Sequence, residues 1–340
     1  MGKYLTTDLA IKMGTANTVV YTRRRGVVAH EPSVVAIQNC LNGSRVVLHV
    51  GQVAKAMMGR TSGQVSTMRP LQKGVVADCD LAQMMLEHCL KKAGCRKMLH
   101  SLRFVLGIPV QCSTIERRAL IEAAHAAGAR SVYLIYEPLA VGLGEGLDIR
   151  EPYGRMIVDI GGSTTDVSVI SVGGLVDHTT LPQGGEAMDE AIIAALRRKY
   201  HLEIGVQTAE QLKIELANVL PHCPPQGLQI EGTDATSHTP RLQEVTSHDI
   251  CEALSDSIHT IIDAIREVMG QTPPELLADI AEGGILLTGG ASLLGGLDHY
   301  LHEHLGVSVS RAMNPMTNAA IGAAQALDDP ALKASLLTPP

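Results

Sequence analysis

Two segments of the chain combine glycine and small hydroxyl residues with flanking apolar alternation, a combination suited to holding phosphate. They are Ile11-Lys12-Met13-Gly14-Thr15-Ala16-Asn17-Thr18-Val19-Val20 and Val158-Asp159-Ile160-Gly161-Gly162-Ser163-Thr164-Thr165-Asp166-Val167. Each reads as a β-hairpin with a tight polar turn. Glycine lets backbone amides come close to a ligand, and successive N–H groups in a turn form an anion-binding nest. One such turn is weak evidence, because Gly-Thr turns occur in many sheets that bind nothing. Two in one chain point to a duplicated architecture, with two similar lobes each presenting a phosphate-binding turn to a shared cleft that takes a nucleotide.

A third glycine-rich turn, Gly289-Gly290-Ala291-Ser292, follows the strand-like run Gly284-Ile285-Leu286-Leu287-Thr288 and opens a helix expected over Leu293 to Leu305. Strand, glycine turn and helix start together make a place where a nucleoside can approach the backbone. The elements between the turns are also legible. Ser113-Thr114-Ile115-Glu116 has capping-box spacing, and Gly128 stands where the C-terminal cap of that helix belongs. Val132-Tyr133-Leu134-Ile135 reads as a short strand and Tyr136-Glu137-Pro138 as the turn into another helix, Pro being favoured in a first helical turn. Glu137 is thereby held at a strand end. A carboxylate there can orient a water for attack on a γ-phosphate, although Glu before Pro also serves simply as a helix-start residue.

The composition sets limits on the rest. At 340 residues the chain exceeds one compact core and suggests two domains or one two-lobed body. With 45% hydrophobic and 19% charged residues it reads as a globular protein. There is no Trp and one Phe, Phe104, so packing relies on aliphatic residues and 13 Met. A net charge of −7 argues against nucleic-acid binding, which needs a basic surface. The basic run Arg23-Arg24-Arg25-Gly26 reads as a hairpin turn. Seven scattered cysteines without a C-x-x-C pair indicate neither a disulfide framework nor a zinc site, and fit a reducing cytoplasm. No apolar run approaches a membrane span, and Met1-Gly2-Lys3-Tyr4-Leu5 lacks a signal-peptide core, so export is not expected. His299, His302 and His304 recur beside Leu297, Leu301 and Leu305 and read as a solvated helix face.

From about Asp8 to about Gly322 the chain resembles the MreB family of bacterial actins. The matching segments include Gly14-Thr15-Ala16-Asn17-Thr18, Glu31-Pro32-Ser33-Val34-Val35-Ala36-Ile37, Arg69-Pro70-Leu71, Glu116-Arg117-Arg118-Ala119, Glu137-Pro138, Val158-Asp159-Ile160-Gly161-Gly162, Asp189-Glu190-Ala191-Ile192-Ile193 and Leu287-Thr288-Gly289-Gly290. Their number and order exceed what the wider actin, sugar-kinase and chaperone superfamily shares. The resemblance implies an α/β, actin-like fold: two lobes with a nucleotide cleft between them, each with a smaller inserted subdomain. Lobe I would take residues 1–148 and about 314–340, with its small subdomain near 32–75; lobe II would take 149–313, with its small subdomain near 186–250.

The same resemblance implies ATP and Mg²⁺ as ligands. Lys12, Gly14, Thr15, Ala16, Asn17 and Thr18 would face the phosphates from one side, and Asp159, Gly161, Gly162, Ser163 and Thr164 from the other. Glu210, Gln211, Leu212 and Lys213 would flank ribose and adenine, and Gly289, Gly290, Ala291 and Ser292 would close the nucleoside side. Glu137 corresponds to the water-orienting acid, Thr165 joins it among the catalytic positions, and Asp159 corresponds to the acid that holds the metal's water shell. Implied too are homopolymer filaments on the inner face of the cytoplasmic membrane, a role in cell shape and wall elongation, and partnership with the transmembrane protein RodZ and the wall-elongation proteins. A sugar kinase would need a further catalytic carboxylate at a sugar pocket, and a chaperone ATPase a substrate-binding domain, neither of which the sequence presents. A scaffold with weakened or absent catalysis remains the alternative.

The departures fall on the site. Where the family has Asp-Leu-Gly-Thr, this chain has Lys12-Met13-Gly14-Thr15. A carboxylate has become an ammonium, which can neutralise phosphate but cannot orient the waters of a metal. Ser163 and Ala291 replace glycines, and a Cβ in a positive-φ turn is expected to cost on the order of 1 kcal/mol. Glu186 follows Gly184-Gly185 where the family commonly has Asp. For membrane contact the candidate is the loop Arg96-Lys97-Met98-Leu99.

Overall fold

A computed structural model of the chain describes residues 5–40, 44–95, 100–220 and 224–338. In chain order the first half runs β1 (Leu5–Met13), β2 (Asn17–Thr22), β3 (Gly26–Pro32), β4 (Val35–Asn39), β5 (Arg45–Val50), α1 (Gln52–Ala56), β6 (Val65–Met68), β7 (Leu71–Gln72), β8 (Val75–Val76), α2 (Cys79–Lys92), β9 (His100–Ile108), α3 (Thr114–Ala127), β10 (Ala129–Tyr136) and α4 (Glu137–Gly144). The second half runs β11 (Arg155–Ile160), β12 (Thr165–Ser171), β13 (Gly174–Leu181), α5 (Gly185–Tyr200), β14 (Leu202–Glu203), α6 (Val206–Leu216), β15 (Gly227–Asp234), β16 (Pro240–Thr246), α7 (Ser247–Gln271), α8 (Pro274–Gly283), β17 (Ile285–Thr288), α9 (Leu297–Leu305), β18 (Val309–Arg311), α10 (Asn318–Asp328) and α11 (Pro330–Leu336). The chain divides into two compact units. One comprises Met1–Tyr153, Ile170–Val176 and Ala312–Pro340, the other Gly154–Val169 and Asp177–Arg311.

The first unit is built on a five-stranded sheet of order β10-β9-β1-β2-β3. β1 pairs antiparallel with β2 and parallel with β9, and β9 pairs parallel with β10, so the sheet is mixed. The period-2 alternation of β1 sorts its side chains: Leu9, Ile11 and Met13 join the core under α2 and α3, which leaves Ala10 and Lys12 for the opposite face. α10 packs against β1 and β9, and α4 packs against α10. The crossing of these two helices runs through glycines. A Cβ on Gly322 would overlap the Ala140 carbonyl oxygen and lie 2.6 Å from the Gly144 nitrogen, and one on Gly144 would lie 2.8 Å from the Asn318 carbonyl carbon. The hairpin expected at Arg23-Arg24-Arg25 joins β2 to β3; Arg23 pairs with Asp328 at 3.1 Å and Arg25 donates to the Ala93 carbonyl. A smaller sheet of order β5-β4-β6 follows β3.

Glu31, 6% exposed at the end of β3, ties this region together. Its carboxylate accepts from the Gln52 N–H at 3.3 Å, pairs with Lys92 of α2, and lies 3.4 Å from His88 Nε2. Burial pushes the carboxyl up, but the bonds from Lys92, Gln52 and His88 together hold it below its usual range. A depressed carboxyl contributes stability at neutral pH that is lost as pH falls through the folded-state value. Because Lys92 is half exposed the pair is partly screened, and Glu31→Gln is expected to cost about 1–3 kcal/mol at pH 7. Urea midpoints of parent and variant should converge below pH 4.

The second unit carries a five-stranded sheet of order β13-β12-β11-β17-β18 and a three-stranded one of order β14-β15-β16. Its core gathers Val158 and Ile160 of β11, Met188 and Ile192 of α5, Leu212 of α6, Leu287 of β17 and the buried stripe of the long helix α7. The capping boxes at Ser113–Glu116 and Thr246–Asp249 start α3 and α7, and Gly128, with φ of 112°, ends α3 in the left-handed region. The helix expected to open at Leu293 opens at Leu297 instead. Gly290–Leu293 forms a single 3₁₀ turn, Leu294 is extended, and Gly295 exchanges backbone hydrogen bonds with Ala217 and Val219 before Gly296, at φ of 71°, turns the chain into α9. The backbone at Gly295 is thus committed to the 217–219 segment and cannot continue a helix.

On α9, His299 lies 3.3 Å from Glu303, His302 Nδ1 bonds to the Val307 carbonyl, and the His304 ring stacks on Tyr300. Among the described residues no helix is long and apolar enough to cross a membrane. The Arg96–Leu99 loop, Met1–Tyr4 and Cys223 lie outside the described residues.

Candidate functional site: two amide turns and a strand-end acid

Both hairpins form, and in both the turn's carbonyls are tied back into the protein. In the first, between β1 and β2, Gly14 N–H donates to the Asn17 carbonyl at 2.9 Å. The Gly14 carbonyl accepts from the Ser33 hydroxyl at 2.7 Å, the Ala16 carbonyl from Ser33 N–H at 2.9 Å, and the Thr15 carbonyl from Arg69 at 2.8 Å. Thr15 Oγ1 accepts from Gly74 N–H, and Thr18 Oγ1 meets Ser33 Oγ at 2.9 Å with no exposure. A Cβ on Gly14 would lie 3.0 Å from the Asn17 carbonyl, which explains the glycine by close approach rather than by φ. The carbonyls of Gly14, Thr15 and Ala16 are thus each satisfied from within the first unit.

The second turn, between β11 and β12, repeats the device with different donors. Gly161 N–H donates to the Thr164 carbonyl at 2.8 Å, the Gly161 carbonyl accepts from Gly185 N–H at 3.0 Å, and the Gly162 carbonyl from Glu186 N–H at 2.7 Å. Amides at the start of α5 therefore find their acceptors in the turn. A Cβ on Gly184 would lie 2.8 Å from Thr164 N, so helix and turn are in backbone contact. Thr164 Oγ1 donates to Asp166 at 3.3 Å. The expected strain at Ser163 and Ala291 is absent, because neither residue adopts positive φ. Thr165 is fully buried and its hydroxyl donates to the Gln183 carbonyl at 2.5 Å, which braces the turn.

Asp159, 7% exposed, stands at the end of β11 in register with Thr288 of β17. Gly289 at φ of 85° is packed so closely that a Cβ would overlap the Asp159 carboxylate and lie 2.6 Å from the Ile160 carbonyl carbon. Beside Gly290 there is open space, and the Ser292 hydroxyl is buried and donates to the Gly289 carbonyl. Glu210, Gln211, Leu212 and Lys213 all lie on α6, but their side chains part company. Leu212 is in the core and Gln211 bonds to Glu215. Lys213, 11% exposed, pairs with Asp189 at 2.7 Å and donates to the Gly185 carbonyl at 2.6 Å, so α6 is locked to the start of α5, beside the second hairpin turn.

Burial outweighs the attraction of Lys213 and lifts the Asp189 carboxyl to about 6. Its folded-state value thus exceeds the unfolded one, so the folded protein takes up this proton more readily than the unfolded chain. The ionised group costs stability above pH 6, and that cost fades as pH falls toward 4. Asp189→Asn is expected to remove this stretch of the pH profile, on the order of 2 kcal/mol between pH 7.5 and 4. Urea midpoints of both proteins across that range are the measurement, and parallel profiles would refute the assignment.

In the first unit Lys12 Nζ lies 3.3 Å from Glu137 Oε2, with the two side chains 17% and 15% exposed. The sequence placed an ammonium on β1 and an acid at the end of β10; the fold joins them in an ion pair. Sequence reasoning also missed Ser33, Arg69, Gly74, Gly107 and the Gly184-Gly185 contact, whose roles depend on which strand or helix lies behind each turn. Among the described residues no three His, Cys, Asp or Glu side chains form a group able to hold a metal ion. One carboxylate such as Asp159 suits a magnesium ion only where phosphates supply its other ligands.

Two five-stranded sheets, each holding a hairpin with a glycine turn, define an actin-like fold. The solved structure of MreB 5 of Spiroplasma citri bound to AMPPNP superposes with a TM-score of 0.90 at 30% identity, covering 97% of each chain. A MamK double helical filament superposes at 0.81 with 25% identity, over 95% of this chain and 99% of the other. The cell shape-determining protein MreB of Escherichia coli strain K12 is 42% identical over 323 residues, 94% of this chain and 93% of that one. The MreB/Mbl protein family model matches residues 6–334, and the chain belongs to that family.

Proposed function

We propose that this chain is an ATP-binding cytoskeletal protein that polymerises into filaments and takes part in setting cell shape. The observation that carries the reading is the repetition of one glycine turn in two hairpins, each with its carbonyls at Gly14–Ala16 and Gly161–Gly162 tied back into its own unit, a backbone suited to approach by phosphate. Binding of AMPPNP by the Spiroplasma relative and the filament formed by MamK support nucleotide binding and self-association respectively. The name of the Escherichia coli relative supports the role in cell shape.

On this reading Gly14 to Thr18 and Gly161 to Thr164 hold the phosphates, Gly289 to Ser292 and the α6 residues Glu210 and Lys213 border the nucleoside, and magnesium arrives on the phosphates with Asp159 toward its waters. Glu137 is the acid that orients water on the γ-phosphate. The filaments lie on the cytoplasmic face of the membrane and work with RodZ and the wall-elongation proteins. High-speed sedimentation at micromolar protein tests assembly, with the chain expected in the pellet when ATP is present. Protein that stays in the supernatant with every nucleotide and at low salt would remove the cytoskeletal reading. Calorimetry tests the nucleotide, with ATP expected to bind even under chelation because Lys12 supplies a positive charge that needs no metal.

A further inference from the structure

The Lys12–Glu137 pair bridges two strands that are not neighbours. β9 lies between β1 and β10, so the backbones carrying the two side chains are separated by two strand spacings, about 10 Å. Ile11 is level with Leu106 and Gly107 with Ile135, which puts Gly107 beside Lys12 and beneath the path from Lys12 to Glu137. A Cβ on Gly107 would stand 3.2 Å from Glu137 Cγ and 3.5 Å from Oε1. Gly107 does not adopt positive φ, so its backbone does not require glycine. What requires it is the space over which the ion pair closes.

We propose that Lys12 and Glu137 form a latch closed across Gly107, in which the phosphates of ATP and the Glu137 carboxylate compete for the Lys12 ammonium. Gly107 is a positioning residue of this latch. In the nucleotide-free protein the acid is held by an internal cation. A bound triphosphate, with several negative charges against one, draws the ammonium toward the Gly14–Ala16 turn that follows β1 and releases Glu137. The proposal rests on the reading that the Gly14 turn holds ATP phosphates; it adds that occupancy of that turn controls when the acid is available.

The test is a thermodynamic cycle of ATP affinity, measured calorimetrically under chelation for the parent, Glu137→Gln, Lys12→Met and the double variant. The latch requires Glu137→Gln to tighten ATP binding roughly tenfold, about the worth of one partly screened charge-assisted bond, because Lys12 is then free for phosphate. In the Lys12→Met background the same change should have no effect. Equal tightening in both backgrounds would mean plain carboxylate–phosphate repulsion, and no tightening would mean that Lys12 serves both anions at once; either result overturns the latch. Gly107→Ala, which displaces Glu137 while keeping both charges, should tighten binding in the same direction.

A second cycle, of urea stability without nucleotide, keeps the two readings apart. Coupling between Lys12→Met and Glu137→Gln is expected there whether or not ATP binds. Zero coupling overturns the latch, whereas coupling in a parent that binds no ATP overturns the nucleotide reading and with it the competition.

Discussion

Gly322→Ala is expected to cost the first unit more than about 4 kcal/mol, far above the usual effect of one added methyl. The Cβ would overlap the Ala140 carbonyl oxygen of α4, a backbone atom that cannot rotate aside, and it would also press on Gly144 N at 2.6 Å. Relief requires α10 to move off α4, and α10 is also the helix that packs on β1 and β9. The loss is therefore shared by the sheet. It also reaches the site, since α4 begins at Glu137 and shifting the helix shifts the acid relative to Lys12. Gly270→Ala is the matched control: it lies in α7 with open space around its Cα, and alanine there should stabilise by roughly 0.5–1 kcal/mol through helix propensity. Urea denaturation followed by far-ultraviolet circular dichroism reads both. A Gly322→Ala protein with the parent's midpoint would mean that the two helices do not meet through their backbones.

The parts of the fold that could be read from the sequence are those specified by neighbours along the chain. Both hairpins, the Arg23–Arg25 turn, the capping box at Ser113, the cap at Gly128 and the Glu137-Pro138 helix start each depend on residues within one or two turns of one another. What escaped reading depends on contacts distant in sequence. Ser33 and Arg69 satisfy carbonyls of the first turn from 19 and 54 residues away, and nothing local marks either as a brace. The start of α9 was misplaced because Gly295 is claimed by the Ala217–Val219 backbone, a partner that a helical pattern cannot reveal. The strain expected at Ser163 and Ala291 came from treating every glycine of a motif as a positive-φ position, whereas in the second turn glycine serves close packing: a Cβ on Gly161 would lie 3.2 Å from the Thr164 carbonyl. The Lys12–Glu137 pair was invisible for the same reason as Ser33. Its existence follows from a register across three strands and from an absent side chain at Gly107.

That pair sets the expectation for catalysis. The parent should hydrolyse ATP slowly, Lys12→Asp should raise the rate by at least about tenfold, and Glu137→Ala should remove whatever activity the parent has. In the parent Lys12 lies 3.3 Å from Glu137 before ATP binds and turns to the phosphates once it has bound, so the positive charge at the phosphates belongs to the protein rather than to a metal able to orient water. Lys12→Asp removes that charge and sets two carboxylates close to one another, an arrangement that is stable at neutral pH only if one takes a proton or a cation joins them. The gain in rate should therefore appear only with magnesium present and should be steeper in magnesium than the parent's own dependence. Lys12→Met isolates the effect of the cation: it removes the ammonium without attracting a metal, and since bound ATP already releases Glu137 in the parent, its rate should stay near or below the parent's and well below that of Lys12→Asp. Removing a positioned catalytic group costs about 10²- to 10⁴-fold, a range that a phosphate-release assay resolves once the more active Lys12→Asp protein serves as the background for Glu137→Ala. If the parent already turns over as fast as Lys12→Asp, the ammonium is no obstacle to hydrolysis; if Glu137→Ala leaves the Lys12→Asp rate intact, the water is oriented by another group.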